Sequence, residues 1–422
     1  MKDIWVPIST PLGRQRIRFR PEQIWLTDPE KMNSLTQEVR EHLLSCGTLA
    51  TDREGNVDTG LAEREMMNWV AGRTGLSGPA LLKVCQPISW ELLGWGELEA
   101  YISDASVTDI IATSSEIWVQ RRGRKMRAAL RFREEEHMLR LARKIAHAAG
   151  CSLTVGQPFV TCAVRGMRVN LMIPPASADG TTIIIRKFRD SRWTEEDYFA
   201  SGTLSPGVWT FLSAAMKAGL TGIICGPVGS GKTTLLQSLA ADVPDDEGVL
   251  TVEVVPELRL KHLYPNKCIV SVVPRLRGHE ASRVTLEQLF ENALHQNMKR
   301  FFFGEIRGAE AVLVLEAFQT GHSGWTTMHA DHAKDAVERL VVMCLRHHGK
   351  MDPEYAGNMV AHAVDLVVHL DDFRVMEVAE VAGCRNREVA VTPLFQYRDG
   401  RWKLQHLPSL ALIDKLLRGL RS

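Results

Sequence analysis

Apolar positions follow two different periods along this chain. Near the start, Leu35, Val39 and Leu43 recur at i, i+4 and i+8, which places them on one face of a helix. Further helical patterns run over 61–70 and 81–93, the latter interrupted by Pro87. From about residue 97 the pattern changes. Runs at 109–112, 117–120, 161–171 and 181–188 predict strands, with a helix over 134–149 among them. The polar stretch 190–197 predicts a linker or hinge. Beyond it come a helix (207–218), a strand (221–225), a glycine loop, a helix (231–242) and a strand (249–255), and alternation continues to about 345. Strands alternating with helices predict a parallel sheet of the α/β kind. Strands are expected again over 364–370, 377–381 and 388–395, before a short closing helix. The expected organisation is a mainly helical extension over 1–95, a smaller α+β domain over 96–190, a linker over 191–203 and an α/β domain over 204–422.

Composition narrows the function classes. The chain has 422 residues, 45% hydrophobic and 24% charged, the balance of an ordinary globular protein. With 51 basic against 50 acidic residues the net charge is +1, which argues against a basic nucleic-acid binder at whole-chain level. The eight cysteines form no CxxC pair, so a zinc ribbon or dense disulfide framework is not expected. The N-terminal residues lack an apolar signal core, and no apolar run reaches the roughly 18 residues of a membrane span. A cytoplasmic chain, peripheral to any membrane, is expected.

The strongest chemical signal is Gly226-Pro227-Val228-Gly229-Ser230-Gly231-Lys232-Thr233-Thr234, which matches G-x-x-x-x-G-K-[ST]. An apolar strand leads in and a helix leads out. The glycines let backbone N–H groups curl around phosphate oxygens. Lys232 can reach the β- and γ-phosphates, Thr233 can ligate Mg²⁺, and the helix N-terminus adds its positive end.

Three further groups follow. Glu253 and Glu257 lie at the end of the next strand, the edge where open α/β sheets bind ligands. A carboxylate there orients or deprotonates an attacking water, or else the two glutamates sit in a solvated turn. Next, 300–308 reads as an apolar strand ending at Gly304 and Glu305, with Gly304 where a phosphate-loop protein usually has Asp. Last, His322 and His329 bracket an expected strand. They read as satisfied core histidines, a zinc pair or a nucleotide-sensing pair. Zinc is disfavoured because no further ligand lies at metal-like spacing.

This order of phosphate loop, acidic box, Gly-Glu strand end and histidine box resembles the secretion ATPases of type II/type IV secretion, pilus assembly and conjugation. The stretch from Asp104 to Asp109, with 119–124, resembles the opening of that family's N-terminal domain. Arg168 to Pro175 and Ile185 to Phe188 resemble its linker-proximal strands. Within the family the chain is most similar to the CpaF-like ATPases of tight-adherence (Flp) pili, over about 97–400.

The resemblance implies a RecA-like ATPase domain that binds ATP and Mg²⁺, a homo-hexamer and an inner-membrane platform protein as partner. It implies phosphate binding by Gly226 to Thr234, Glu257 as catalytic glutamate, and Thr233 with Glu305 at Mg²⁺. It further implies His322 and His329 as the histidine box, and Arg168 and Arg186 as positive charge for the phosphates. Two departures stand out: Val254 replaces the family's Asp, and His295 lies where an arginine is common.

Two basic runs, Arg14, Arg16, Arg18 and Arg20, and Arg121, Arg122, Arg124, Lys125 and Arg127, read first as solvated faces. Anionic lipid or an acidic partner is the next reading. Nucleic acid is disfavoured for want of interleaved aromatics. The competing classes are a nucleic-acid translocase on the same core, for instance a DNA-transfer motor, and a nucleotide-binding scaffold without hydrolysis.

Overall fold

The computed structural model describes residues 4–10, 13–19, 22–49, 58–114, 116–121, 123–130, 132, 134–189, 191–274, 284–293, 295–308, 310–347 and 351–421. Two compact units divide the chain, Met1–Phe188 and Arg189–Ser422.

Unit 1 opens with strands β1 (Ile4–Thr10) and β2 (Gly13–Phe19), paired antiparallel. Helices Pro29–Ser45, Thr59–Thr74 and Gly78–Leu92 follow. Asp28 caps the first, accepting from the N–H groups of Glu30 and Lys31 at 3.1 and 3.2 Å. Leu35, Val39 and Leu43 are buried in one cluster with Met66, Val70, Val84 and Ile88. The helix Gly78–Leu92 runs through Pro87, where an interruption was expected. Burying an aliphatic side chain contributes about 1.5–3 kcal/mol, against about 3 kcal/mol for an interior proline. Leu81, Val84 and Ile88 together outweigh it.

The rest of unit 1 is an antiparallel sheet of β3 (Val107–Ala112), β4 (Ile117–Arg121), β5 (Arg124–Arg127), β6 (Phe159–Val164), β7 (Met167–Met172) and β8 (Thr182–Lys187). Its order is β5-β4-β3-β8-β7-β6. Helix Glu135–Ala148 shares a core with it through Met138, Leu141 and Ile145. The run 161–171, expected as one strand, folds back on itself. Arg165 and Gly166 adopt φ of 52° and 69°, and Val164 pairs with Met167 across this two-residue turn.

Unit 2 is built on nine strands among the described residues. They are β9 (Gly222–Cys225), β10 (Val249–Val252), β11 (Ile269–Val272), β12 (Arg300–Ile306), β13 (Ser323–Met328), β14 (Leu366–Asp371), β15 (Arg374–Arg385), β16 (Glu388–Arg398) and β17 (Arg401–Leu404). The sheet order is β11-β10-β12-β13-β9-β14-β15-β16-β17. The first six in that order are parallel, and the last three join antiparallel. Both faces are covered, so successive residues alternate between two cores. Phe301 and Phe303 face helices Glu310–Gln319, Ala333–His347 and Pro353–Ala363. Phe302 faces helices Pro206–Lys217 and Lys232–Leu239. The fold class is α/β, as the alternation of strands and helices implies.

The segment 191–203 is not a free linker. It contains helix Glu195–Ala200, closed at its start by a capping box of Thr194 and Asp197. Tyr198 is buried, and its hydroxyl donates to Ser238 Oγ at 3.0 Å. Ser238 in turn donates to the Trp193 carbonyl at 3.0 Å. These bonds build the segment into unit 2. Asp190, the first residue of the expected hinge, lies outside the described residues.

Trp325 is fully buried in β13, and its Nε1–H donates to the Leu220 carbonyl at 2.9 Å. Trp325→Ala should cost about 3–5 kcal/mol through the cavity it leaves. Urea unfolding should show a clearly lower midpoint, and a midpoint unchanged from wild type would contradict this packing.

Candidate nucleotide site

All four residues of β9 are buried, and the glycine loop begins where the strand ends. Gly226 packs against β14 so closely that a Cβ would stand 2.1 Å from the Leu370 carbonyl oxygen. Helix Lys232–Leu239 starts directly after Gly231, which offers no side-chain cap. Its first N–H groups therefore have no intrahelical acceptor and point toward the loop, the arrangement that binds anions. Ser230 is buried, and its Oγ has no hydrogen-bond partner. Lys232 is only 7% exposed and folds over the loop, donating to the carbonyls of Gly226 at 2.9 Å and Pro227 at 2.7 Å. Burial lowers its pKa, and the Glu305 carboxylate opposes that effect.

Two neighbouring strand ends supply the acids. Glu253 follows β10 and is buried; its Oε1 accepts the N–H groups of Glu257 and Leu258 at 3.0 and 2.9 Å. Gln237, on the helix after the glycine loop, donates to the carbonyls of Glu257 and Leu258 at 3.0 and 3.1 Å. The turn that carries Glu257 is thus tied both to β10 and to that helix. At the end of β12, a Cβ on Gly304 would lie 2.8 Å from Glu253 Oε1. Glycine stands where Asp is usual because the Glu253 carboxyl occupies that space.

Glu305 comes next. Its Oε1 is 2.9 Å from His329 Nε2, but it is buried and accepts no aligned hydrogen bond. Its other oxygen accepts from Arg307, whose pKa this hydrogen bond raises. His329 follows β13, and its Nδ1 lies 3.1 Å from the Gly226 carbonyl and 3.3 Å from Lys232 Nζ. Lysine, histidine and glutamate so form one polar chain from the glycine loop to the end of β12.

A family model described as type II/IV secretion system protein matches residues 91–389. The chain belongs to the type II/IV secretion system protein family. A putative conjugal transfer protein of Mycobacterium tuberculosis (strain ATCC 25618 / H37Rv) is 32% identical over 310 residues, 71% of this chain and 86% of that protein. The type IV secretion system protein PtlH of Bordetella pertussis is 29% identical over 329 residues, 72% of this chain and 94% of that protein. The crystal structure of the VirB11 ATPase from the Brucella suis type IV secretion system, in complex with sulphate, has 25% identity and a TM-score of 0.37. It covers 67% of this chain and 95% of that one.

In this type II/IV secretion family protein the phosphate loop, the acidic turn and Glu305 occupy one edge of the sheet. Of the expected residues, Gly226 to Thr234, Glu305 and His329 meet there, and the Glu257 turn is tied to the same helix. His322 does not join them. It precedes β13 and stacks on Phe301, with ring centroids 4.3 Å apart. His329 follows the same strand, whose six residues span about 20 Å. Of the two histidines, His329 alone lies beside Lys232 and Glu305. Arg168 and Arg186 sit in unit 1, opposite one another on β7 and β8. Arg186 is half exposed and donates to Asp109 Oδ1 at 2.9 Å.

Of the basic runs, Arg121 pairs with Asp104 at 2.6 Å and Arg127 with Glu116 at 3.0 Å. Arg20, Arg122 and the side chains of Arg14, Arg16 and Arg18 lie outside the described residues. Val254 is exposed on the acidic turn, so the missing carboxylate removes no buried contact.

Sequence reading did not single out Gln237 or give Glu253 a role in bracing the turn of Glu257. The available signal was the pairing of an acid at the end of one strand with glycine at the end of the next. Burial pushes the Glu253 carboxyl up to about 8 from an ordinary 4.5. Below the unfolded value the group's contribution to folding is fully present, and it is lost as pH rises through about 8. Urea midpoints of the wild type should therefore fall between about pH 5 and about pH 8.5 more steeply than those of Glu253→Gln. Parallel pH profiles would contradict this assignment.

Proposed function

We propose that the chain hydrolyses ATP to drive pilus assembly or protein secretion, as a homo-hexamer docked on an inner-membrane platform protein. Within its family we place it in the CpaF-like, tight-adherence branch, on the cytoplasmic face of the membrane. Among the described residues no helix is long and apolar enough to cross a membrane. We read the chain as a mainly helical extension over 1–95, an α+β domain over 96–190, a linker over 191–203 and a RecA-like domain over 204–422.

The observation that carries this reading is the buried ammonium of Lys232 at an uncapped helix N-terminus, beside the carboxylate of Glu305. One buried oxygen of the loop, Ser230 Oγ, has no hydrogen-bond partner, which suits a phosphate. Thr233 and Glu305 would hold Mg²⁺, directly or through water. When bound, the ion supplies positive charge to the phosphates. Lys232 exchanges the Gly226 and Pro227 carbonyls for β- and γ-phosphate oxygens. Glu257 orients the attacking water from a turn fixed by Glu253 and Gln237. His329 holds Glu305 in place from its Nε2 side. Arg168 and Arg186 are assigned as positive charge for the phosphates, the role that arginines play in phosphoryl transfer.

Lys232→Ala should abolish ATP turnover in the purified protein, and undiminished turnover would refute the phosphate-loop reading. Glu257→Gln and Glu305→Gln should keep nucleotide affinity while turnover falls by about 10²-fold or more. Fluorescent-nucleotide titration beside a phosphate-release assay separates the two effects. Loss of affinity in step with rate would make these residues structural.

Arg186→Ala should lower kcat in a phosphate-release assay. Wild-type turnover would remove Arg186 from the mechanism.

A further inference from the structure

His42 and Cys46 stand four residues apart at the C-terminal end of helix Pro29–Ser45, so they share a face. Glu65 meets them from helix Thr59–Thr74. Val39 and Leu43 on the first helix and Met66 and Val70 on the second belong to one buried cluster, which fixes the pair of helices. His42 Nε2 lies 3.1 Å from Glu65 Oε1 and 3.6 Å from Cys46 Sγ. All three donor atoms fall within 4.8 Å of one another, the one such group of metal-ligating side chains among the described residues. Tetrahedral zinc, with bonds of about 2.0–2.3 Å to N, O and S, sets donor–donor edges of about 3.3–3.7 Å. The His–Glu and His–Cys spacings are already close to those edges. Trp69 stacks on the His42 ring, centroids 5.6 Å apart and planes 29° apart, and so sets the plane of the imidazole. Cys46 is exposed, and the His42 and Glu65 side chains are 24% and 38% exposed, which leaves an ion a way in.

We propose that His42, Cys46 and Glu65 bind a divalent transition metal of the zinc class, with water as the fourth ligand, and that the ion clamps these two helices together. A thiolate, an imidazole and a carboxylate form a borderline-soft donor set that selects zinc-like ions over Mg²⁺ and Ca²⁺. The lack of CxxC pairs excludes a zinc ribbon but not a site assembled across a helix pair. The competing reading is a plain His42–Glu65 ion pair with a neighbouring thiol. That pair needs nothing from Cys46, and this difference is what the experiment exploits. Metal binding requires the thiolate, so affinity rises with pH and protons are released.

The test is titration of reduced, nucleotide-free, full-length protein with Co²⁺, read by absorption. The expected result is a near-ultraviolet thiolate-to-metal band that saturates at one equivalent, with visible bands of tetrahedral intensity, all abolished by Zn²⁺. Cys46→Ser, at an exposed position after the helix, should fold normally, turn over ATP as wild type does and lose the thiolate band. Glu65→Gln should keep the band but weaken Co²⁺ binding by at least about tenfold, the loss that even an outer-shell substitution can cause. No thiolate band in the wild type, or a band that survives Cys46→Ser, would overturn the proposal.

Discussion

Strand β9 pairs in parallel with β13 on one side and β14 on the other, and the site depends on that pairing. Parallel neighbours share a direction, so their C-terminal ends lie along one edge. The glycine loop follows β9, Glu253 follows β10, Glu305 lies near the end of β12 and His329 follows β13. None of these is close to the others in sequence. The contact that fixes the loop is equally specific: Gly226 lies against the Leu370 carbonyl, where no Cβ fits. A shift of β14 would move the loop with it.

Electrostatics at this edge are set by burial. Lys232 is desolvated, and two backbone carbonyls and the nearby Glu305 carboxylate compensate it. Glu253 meets the same condition differently. Burial pushes it toward the neutral form, and the two N–H groups it accepts oppose that only in part. A neutral acid can brace the acidic turn without adding to the charge on Glu257 and Glu305.

The phosphate loop was legible because its chemistry is local: glycines, lysine and threonine within nine positions define the cradle. The helix face of Leu35, Val39 and Leu43 was legible for the same reason of short-range period. Other features depend on partners that sequence order hides. The gap at Gly304 makes sense only once Glu253, 51 positions upstream in the chain, is seen beside it. His322 and His329 were grouped by the family resemblance, and the strand between them sends its two ends to opposite edges of the sheet. The turn at Arg165 and Gly166 was hidden inside a run that alternates well enough to pass for a single strand. The polar stretch near 190–197 suggested a hinge from composition, whereas the burial of Tyr198 docks it on unit 2.

The central claim is that one edge of the unit 2 sheet is a single nucleotide pocket. Hydrogen–deuterium exchange of the full chain, with and without Mg²⁺ and a non-hydrolysable ATP analogue, reads it most directly. The account predicts that protection appears together in the loop 226–234, the turn 253–258 and the segments at Glu305 and His329, and spares the residues around His322. Protection absent from the loop, or confined to residues outside these four segments, would contradict it.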